Sequence, residues 1–550
     1  MLCENCKIRE ANIKYTEIIN GIKTEHNLCS RCAREMDFGQ YSAILDGEFP
    51  LGKLLSGLLG LEDDEEETDV RGRVACPTCK TSFEDFVENS RFGCPDCYGV
   101  FDLFISDKMK QLQGSESHKG KHPKFSSAFE KRHPDAAGES QGKEVSEGPS
   151  GEEACGGQNS QRARSNRRIR ELEGKLKEAV AREDYEEAAS LRDQIKELKK
   201  ESASMNKWFE RMDSKSSNIV YSRIRLARNW DEYAFPSKMT KVQCKEMVGR
   251  LQEGLKSIGE LDGREYQYRQ LDTAQEMEKR ALRERRILNL AAVNKKEPAG
   301  LFMSEDEGSS LVLGGDDHIR IQQIGAGLCL DELWQQADAM DDYVNERFSY
   351  AFDDKYGYLT SFPTNVGTGL RACVVLHLPT LSQVRKFQSI VGDMSRFGTA
   401  IRGLYGEGSD NYGSLYEISN QRTLGQSEKE IVELVTKAAA QLNNQELRVR
   451  SASLNTQRLE REDEAYKSYG VLKYARKIAE KDARIFLSQL MAGEEDGLLK
   501  FDKKCSLYSL IIGIKPANLN LWFKRPLDKG ELDAVRAAYI RQNLPEIAGA

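Results

Sequence analysis

Four C-x-x-C pairs near the start of the chain constrain its fold more than any other feature. They are Cys3/Cys6, Cys29/Cys32, Cys76/Cys79 and Cys94/Cys97. Two intervening residues let both thiolates of a pair reach one metal ion, and two pairs complete a tetrahedral zinc site. A disulfide framework or a redox pair would use the same residues, but the start of the chain has no signal-peptide pattern and the motif repeats. We expect two structural Zn²⁺ sites, in zinc modules at 1–60 and 70–108.

Length and charge limit the class of protein. A chain of 550 residues predicts three or more domains. Charged residues make up 31% with a net charge of −7, and acids and bases are interspersed, which argues against nucleic acid as a partner. The longest apolar stretches, such as 372–378, are too short to span a bilayer. The remaining cysteines are single, as in a reducing cytosol. These features predict a soluble cytoplasmic protein.

Between the zinc modules and the rest of the chain, composition changes twice. Residues 109–165 are polar and of low complexity, which predicts a disordered linker. Residues 166–204 show helical periodicity with a polar break in the middle, which predicts a helical hairpin. This hairpin resembles the UVR motif of excision-repair subunits and stress regulators. Such a motif docks a partner.

The second half of the chain is a mixture of strands and helices. Segments 219–226, 319–324 and 373–378 alternate as strands do, and 241–258, 329–347, 382–397 and 427–442 are helical in pattern. From about 451 the chain is mostly helical. This irregular order predicts an α+β fold rather than a doubly wound sheet.

Arginines recur at positions suited to phosphate binding. In S-R-I-R-L-A-R a strand's period of two puts Arg223 and Arg225 on one face. Adjacent guanidinium groups repel unless an anion lies between them, and phosphate oxygens match their geometry. A strand arginine of the same kind recurs in three later segments, at Arg320, Arg371 and Arg402, and the last two lie beside glycine turns. The set predicts a polyphosphate site, and there is no P-loop or G-x-G-x-x-G motif.

Four segments carry a family resemblance: S-R-I-R-L-A-R-N, D-D-H-I-R-I-Q, P-T-N-V-G-T-G-L-R-A and R-G-L-Y-G-E-G-S. They resemble the catalytic domain of ATP:guanido phosphotransferases, above all the bacterial protein arginine kinases. The cysteine-rich head with its UVR hairpin resembles the activator of those kinases. The resemblance implies an antiparallel β-sheet flanked by helices at 205–450 and a helical regulatory and dimerisation domain at 451–550.

The resemblance also implies roles for particular residues. Asp316 and Glu407 would be the acidic pair that orients the acceptor guanidinium. Asp533 and Arg536 would belong to a regulatory phosphoarginine receptor. ATP, with Mg²⁺, would be held by a larger set: Ser222, Arg223, Arg225, Arg286, Arg320, Arg371 and Arg402.

Four positions depart from the family pattern. Asp316 stands where a glutamate is usual, one methylene shorter, and Phe362 stands where a cysteine is common. Leu532 replaces the first arginine of the phosphoarginine receptor. Arg286 also replaces a histidine beside the nucleotide. These changes leave the predicted phosphate-binding arginines in place, so we expect ATP to bind and the rate of phosphoryl transfer to be affected.

Four functions remain open on the sequence alone. The first is a protein arginine kinase with its activator fused, acting on proteins with exposed arginines. The resemblance implies that proteins phosphorylated on arginine pass to a Clp-type AAA+ unfoldase, or that a stress-gene repressor is inactivated. It also implies that the enzyme is a homodimer or larger. The second is an ATP-binding pseudokinase scaffold for Clp components. A kinase for a free guanidino metabolite and a DNA-repair recruiter are the others.

Overall fold

The computed structural model describes residues 74–125, 182, 207–211, 218–405 and 411–548 in full, and the backbone of two strands near the start. These strands, β1 (Ile13–Ile19) and β2 (Ile22–Leu28), form an antiparallel hairpin. They belong to a compact unit, Met1–Leu51, and the remainder belongs to a second, Gly52–Ala550. The predicted ligands Cys3, Cys6, Cys29 and Cys32, the acid Glu407 and nearly all of the 166–204 hairpin fall outside the described residues.

Three helices follow the first described cysteine pair: α1 (Phe83–Asn89), α2 (Asp96–Val100) and α3 (Asp102–Gln113). Ser82 starts α1 because its hydroxyl accepts from the Asp85 amide while the Asp85 carboxylate accepts in return. Gly114 ends α3 in the left-handed conformation, with φ of 73°.

The predicted linker does not begin at 109, because that position lies inside α3. Residues after the helix, to 125, are also placed. Their charges hold them: the Lys121 ammonium lies 2.5 Å from the Asp338 carboxylate. The Lys121 amide also donates to Glu428 at 3.0 Å. A polar composition predicted disorder here, but fixed carboxylates elsewhere in the unit supply partners for its lysines.

An eight-stranded sheet forms the centre of the second unit. Its spatial order is β11-β12-β10-β3-β7-β6-β5-β4, and every neighbouring pair is antiparallel. The strands are β3 (Ile219–Arg228), β4 (Tyr266–Gln270), β5 (Gly300–Ser304), β6 (Ser309–Leu313), β7 (Ile319–Ala326), β10 (Leu370–His377), β11 (Thr399–Gly403) and β12 (Leu415–Asn420). A separate two-stranded ribbon, β8 (Phe352–Asp353) with β9 (Gly357–Tyr358), lies between β7 and β10 in sequence.

One face of the sheet is covered by helices from the same region of the chain, residues 219–420. Ile224 and Leu226 of β3 point to this side and are fully buried against it. The helices connecting the strands of this region are α4 (Lys241–Gly254), α5 (Gly259–Asp262), α6 (Glu276–Glu284), α7 (Leu290–Asn294), α8 (Leu330–Arg347) and α9 (Phe387–Arg396). The apolar residues of the strands and the apolar rows of α4 and α8 form this core together, and the first half of a following helix completes it.

That following helix, α10 (Glu428–Tyr474), crosses the predicted domain boundary at 450/451. The helical geometry breaks at Gln457, where φ is −135° and ψ is 39°. The remaining helices are α11 (Glu480–Glu495), α12 (Leu507–Gly513), α13 (Pro516–Phe523) and α14 (Lys529–Asn543). The predicted α+β class, with an antiparallel sheet flanked by helices and a helical C-terminal region, is confirmed.

The opposite face of the sheet is only partly covered. Tyr221, Ile324, Val375 and Leu415 pack on the C-terminal helices in a second core. Further along the same strands the side chains are charged instead, so the apolar contact ends and a polar surface begins. Among the described helices, none is both long and apolar enough to cross a membrane.

A buried ion pair ties β3 to α8. The Arg228 guanidinium, fully buried, donates to both carboxylate oxygens of Asp341, at 2.9 and 3.1 Å, and stacks 3.5 Å from the centre of the Tyr358 ring. We expect Arg228→Met to lower the free energy of unfolding by about 3 kcal/mol, because the buried Asp341 carboxylate loses both bonds to Arg228 and keeps the longer contact of 3.4 Å with Lys121 Nζ. Urea denaturation measures this against Arg396→Met on the exposed side of α9. Equal midpoints for the two variants would contradict it.

Candidate active site

Five of the predicted phosphate-binding arginines share the charged part of the sheet's second face. Arg225 of β3 lies directly opposite Arg371 of β10, and Arg320 of β7 lies opposite Ala227 of β3. Alternation along β3 brings Arg223 to the same face as Arg225. Arg402 enters from β11. The strands that carry them, β11, β10, β3 and β7, lie within five consecutive strands of the sheet, with β12 between β11 and β10, although they are far apart in sequence.

A carboxylate that the sequence analysis missed lies among these arginines. Glu417 of β12 is directly opposite Arg402 and accepts from Arg223 Nη2 at 3.0 Å. Burial by itself raises the pKa of Glu417, but the positive charges of Arg223, Arg225 and neighbouring arginines outweigh it and hold that pKa below the usual value. The sequence feature that could have indicated Glu417 is its position two residues after Leu415, because strand alternation places it on the same face of β12 as that buried leucine.

Positive charge remains in excess around Glu417. Burial, and then the neighbouring charges of Arg225 and Arg402, lower the pKa of Arg371 to about 10. Arg371 also donates to the Asn420 carbonyl at 2.6 Å. An arginine is driven toward its neutral form only where like charges are crowded and partly dehydrated. A bound polyanion would relieve that crowding.

Arg286 supplies donors for such an anion. It adopts a left-handed backbone conformation, with φ of 69°, and its guanidinium carbon lies 5.4 Å from the centre of the Tyr405 ring. Its Nε and Nη2 atoms are buried with no hydrogen-bond partner in the described part of the chain. Buried donors of this kind are costly unless a ligand satisfies them. The arginine set therefore fits a bound polyanion.

Ser222 is not brought into this group. Its hydroxyl donates to the Gly327 carbonyl at 2.7 Å and accepts from the Cys329 amide at 3.2 Å. The strand period that puts Arg223 and Arg225 on the charged face puts Ser222 on the other. The structure thus corrects the expectation that this side chain joins the arginines.

A short acidic turn between β6 and β7 presents Asp316. Its carboxylate accepts from Asn289 Nδ2 at 2.7 Å. The adjacent Asp317 is buried and accepts from Asn229 and from the Ser361 amide, both at 2.7 Å. Burial raises the pKa of Asp317. Asp317 therefore fixes the turn, and the Asp316 side chain remains 15% exposed.

His318 completes the turn as a structural residue. One ring nitrogen accepts from the Trp230 amide at 2.9 Å and the other lies 2.8 Å from the Ala234 carbonyl. Burial lowers the pKa of His318 to about 4, so the ring is neutral at physiological pH.

The acidic turn and the arginine group are joined by one segment. The Arg286 carbonyl accepts from Gln322 and the Ile287 carbonyl from Arg320, each at 2.9 Å. Two residues later Asn289 reaches Asp316. Residues 286–289 thus run along β7 from the arginines to the acid. Glu407, the other predicted acid, lies outside the described residues.

Asp533 and Arg536 lie away from this region, in the C-terminal core. Arg536 is buried, donates to the carbonyls of Ile478 and Ile514 at 2.9 and 3.0 Å, and pairs with Asp533 at 2.5 Å. These bonds hold α14 against its neighbours. The predicted phosphoarginine-receptor role stays a prediction, and it would require Arg536 to release these carbonyls.

The second cysteine quartet forms a compact cluster. The sulfur atoms of Cys76, Cys79, Cys94 and Cys97 all lie within 4.8 Å of one another. The Cys76–Cys94 and Cys79–Cys97 sulfur distances are 3.5 and 3.4 Å. Tetrahedral Zn–S bonds of about 2.3 Å would separate sulfurs by about 3.8 Å. The residues fit one structural Zn²⁺.

The zinc module, residues 74–125, contacts the loop that follows β9. The Phe92 amide donates to the Ser361 carbonyl at 2.9 Å, and the Tyr98 hydroxyl donates to the Thr360 carbonyl at 2.8 Å. Gln113 Nε2 donates to the Pro363 carbonyl at 2.9 Å. Three bonds to backbone groups fix the position of the module on this loop.

Loss of the metal ligand should release this contact. We expect Cys94→Ser to abolish zinc binding at this cluster, because three thiolates and one hydroxyl hold the ion poorly. Hydrogen exchange at the Phe92 amide, which donates to the Ser361 carbonyl, should then accelerate at least about tenfold as the module becomes mobile. Zinc analysis and exchange mass spectrometry measure both, with Cys505→Ser, outside the cluster, as control. Unchanged protection of the Phe92 amide would show that the module stays bound to the loop without its zinc.

Four family models match the chain. Residues 246–449 match the ATP:guanido phosphotransferase, C-terminal catalytic domain, and residues 457–549 match the protein-arginine kinase McsB C-terminal domain. Residues 74–120 match the McsA central zinc-finger domain, and residues 166–201 match the UvrB/uvrC motif. The second model begins at the break in α10.

Full-length relatives agree. The protein-arginine kinase of Bacillus velezensis is 37% identical over 62% of this chain and 93% of its own length. That of Bacillus subtilis has the same identity and coverage. Among solved structures, the substrate-free duplicated taurocyamine kinase from Schistosoma mansoni is 16% identical, with a TM-score of 0.49 over 75% of this chain and 50% of that chain. From its relatives, the chain belongs to the protein-arginine kinase family, joined to a zinc finger of the McsA type.

Proposed function

We propose that this chain transfers the γ-phosphoryl group of ATP to arginine side chains of proteins. The observation that carries the proposal is the group of five arginines on one sheet face, joined by residues 286–289 to the Asp316 carboxylate. Family membership supports the same reaction and favours it over a scaffold that only binds ATP.

The arginines would hold the nucleotide phosphates. Four strands of the sheet, β3, β7, β10 and β11, supply Arg223, Arg225, Arg320, Arg371 and Arg402. Arg286 adds buried donors from the loop. Bound Mg²⁺ would neutralise further phosphate charge. Phosphoryl transfer passes through a loose, negatively charged transition state, so fixed cations that cost no reorganisation supply much of the catalysis.

The acids would prepare the acceptor. A guanidinium is a poor nucleophile because its lone pairs are delocalised and it stays protonated. A carboxylate can align one nitrogen with the phosphorus and accept the proton as the N–P bond forms. We assign alignment to Asp316, which Asn289 holds by a bond of 2.7 Å, and proton acceptance to Glu407 from its motif.

The family resemblance supports finer proposals. Proteins marked on arginine would pass to a Clp-type AAA+ unfoldase, or a stress-gene repressor would be inactivated, in the cytoplasm. The helical region from 451 would serve dimerisation and regulation, with the Asp533–Arg536 pair in its receptor. Cys3, Cys6, Cys29 and Cys32 would hold a second Zn²⁺ near the start of the chain.

Product analysis tests the main proposal. The chain is incubated with ATP, Mg²⁺ and a chemically unfolded protein, and phosphorylation is mapped by mass spectrometry at neutral pH, because N–P bonds are acid-labile. We expect phosphate on arginine. ATP binding without transfer would instead indicate a scaffold, and transfer to free arginine alone would indicate a metabolite kinase.

A further inference from the structure

One asparagine side chain joins the two ends of the connection between β11 and β12. Asn411 Nδ2 donates to the Leu415 carbonyl at 2.9 Å, and Asn411 Oδ1 accepts from the Tyr405 amide at 3.4 Å. Tyr405 and Tyr412 stand at these two ends, and the sequence between them contains Glu407.

Two cations of α11 lie over the tyrosine rings at these ends. Lys481 Nζ is 4.0 Å from the centre of the Tyr412 ring, and the Arg484 guanidinium carbon is 4.9 Å from the centre of the Tyr405 ring. Residues three apart in a helix lie on one face. The faces of aromatic rings attract cations, most strongly where water is excluded. A single face of α11 therefore holds both ends of the connection.

Arg484 is largely buried at this contact. Its side chain is 14% exposed, and its Nη2 atom lies 3.4 Å from the Glu480 carboxylate. Its Nε atom is buried without a hydrogen-bond partner in the part of the chain that the structure describes, so this edge of the guanidinium relies on the ring of Tyr405. The backbone also comes close to α11, because a Cβ atom at Gly413 would lie 3.4 Å from the Arg484 carbonyl oxygen.

Tyr405 connects this contact to the arginine group. Lys515 Nζ lies 4.2 Å from the centre of its ring, and the Arg286 guanidinium carbon lies 5.4 Å from it. Burial by itself raises the pKa of this phenol, but the charges of Lys515, then of Arg286 and Arg484, outweigh it and hold that pKa below its usual value. The ring is thus in contact both with a predicted nucleotide-binding arginine and with the C-terminal helices.

We propose that Lys481 and Arg484 are positioning residues for phosphoryl transfer, because they hold both ends of the segment that carries Glu407. The inference rests on the proposed function, in which Glu407 accepts the proton. A segment fixed at both ends has fewer conformations to lose, so a carboxylate within it is better placed for reaction. The C-terminal region then contributes to catalysis without contacting either substrate.

Kinetics with one acceptor test the inference. The acceptor is an unstructured peptide with a single arginine, and the variants are Lys481→Met and Lys481→Arg in the full chain. We expect Lys481→Met to lower kcat about tenfold, because misplacing a reacting group by about 1 Å can cost about 10²-fold. Lys481→Arg keeps a cation for the Tyr412 ring and should stay within about threefold of the parent.

A control and a count of competent sites accompany these variants. Lys477→Met removes an exposed lysine just before α11 and should leave kcat unchanged. Calorimetric titration with ATP should give the same stoichiometry and Kd for Lys481→Met as for the parent, so that a lower kcat does not reflect unfolded protein. Two results would overturn the inference. One is a kcat for Lys481→Met equal to that of Lys477→Met, and the other is a loss that Lys481→Arg does not recover.

Hydrogen exchange separates this inference from the proposed function. Exchange at the Tyr405 amide, without nucleotide, should accelerate at least about fivefold in Lys481→Met and in Arg484→Met, because the ends of the connection are less restrained. If this holds while no protein phosphorylates the peptide, the proposed reaction fails and the contact with α11 still restrains the segment. If the parent phosphorylates the peptide and the variants change neither kcat nor exchange, the positioning role fails and the reaction stands.

Discussion

Replacement of Arg371 by methionine is expected to lower kcat/KM for ATP about 10³-fold and to make the nucleotide-free protein more stable. The activity falls because a buried cation that would face the phosphates is lost, and preorganised charges of this kind contribute about 10²–10³ in rate. Methionine has a similar length and no charge, so it leaves the strand pairing of β10 intact.

The stability change has a definite sign. In the folded protein the pKa of Arg371 is lowered to about 10, by burial and by Arg225 and Arg402. The charged form is therefore disfavoured by folding at every pH below about 10, and deleting the charge removes that cost. After allowing for the lost bond to the Asn420 carbonyl, we expect a gain of about 1 kcal/mol.

Thermal unfolding with and without ATP measures both effects. The parent should be stabilised by ATP and the Arg371→Met variant should not, since a ligand stabilises only in proportion to its binding. Arg396→Met, on the surface of α9, should behave as the parent does. A less stable nucleotide-free Arg371→Met protein would show that Arg371 has a structural role.

Strand periodicity explains why the arginine group was predictable from the sequence. Arg223 and Arg225 alternate with Ile224 and Leu226, so one apolar row places both guanidinium groups on the opposite face. The same alternation excludes Ser222, and applying it strictly would have removed that residue from the prediction. Local patterns determine which face a side chain occupies.

Contacts between distant segments were not predictable in this way. Glu417 lies in an ordinary strand pattern, and its role is visible only once β12 pairs with β11 and β10. The Arg91 side chain donates to Asp316 at 3.5 Å although the two residues are separated by 225 positions. A helical pattern also hides the boundary within α10, because both sides of Gln457 favour helix. These features depend on which elements become neighbours, and no local period encodes that.

Replacement of Asp316 by asparagine is expected to reduce kcat about 10³-fold at nearly constant KM for ATP. Asparagine keeps the shape but loses the negative charge that aligns a guanidinium, and such groups contribute about 10²–10⁴. Its amide would also face the Asn289 amide, which now donates to Asp316 at 2.7 Å. Phosphoarginine formation on the single-arginine peptide measures the loss.

Asp316→Glu is the matched control. It restores the carboxylate with one more methylene, the length usual in the family, so activity within about tenfold of the parent is expected while Asp316→Asn is nearly inactive. That result would show that the negative charge at position 316 matters more than the length of the side chain. If both variants lose activity equally, position rather than charge is decisive at Asp316. If neither does, the acceptor is oriented by other groups, and the assignment of Asp316 is wrong. The arginine group that would hold ATP is unaffected by that result, because Asp316 reaches it only through residues 286–289.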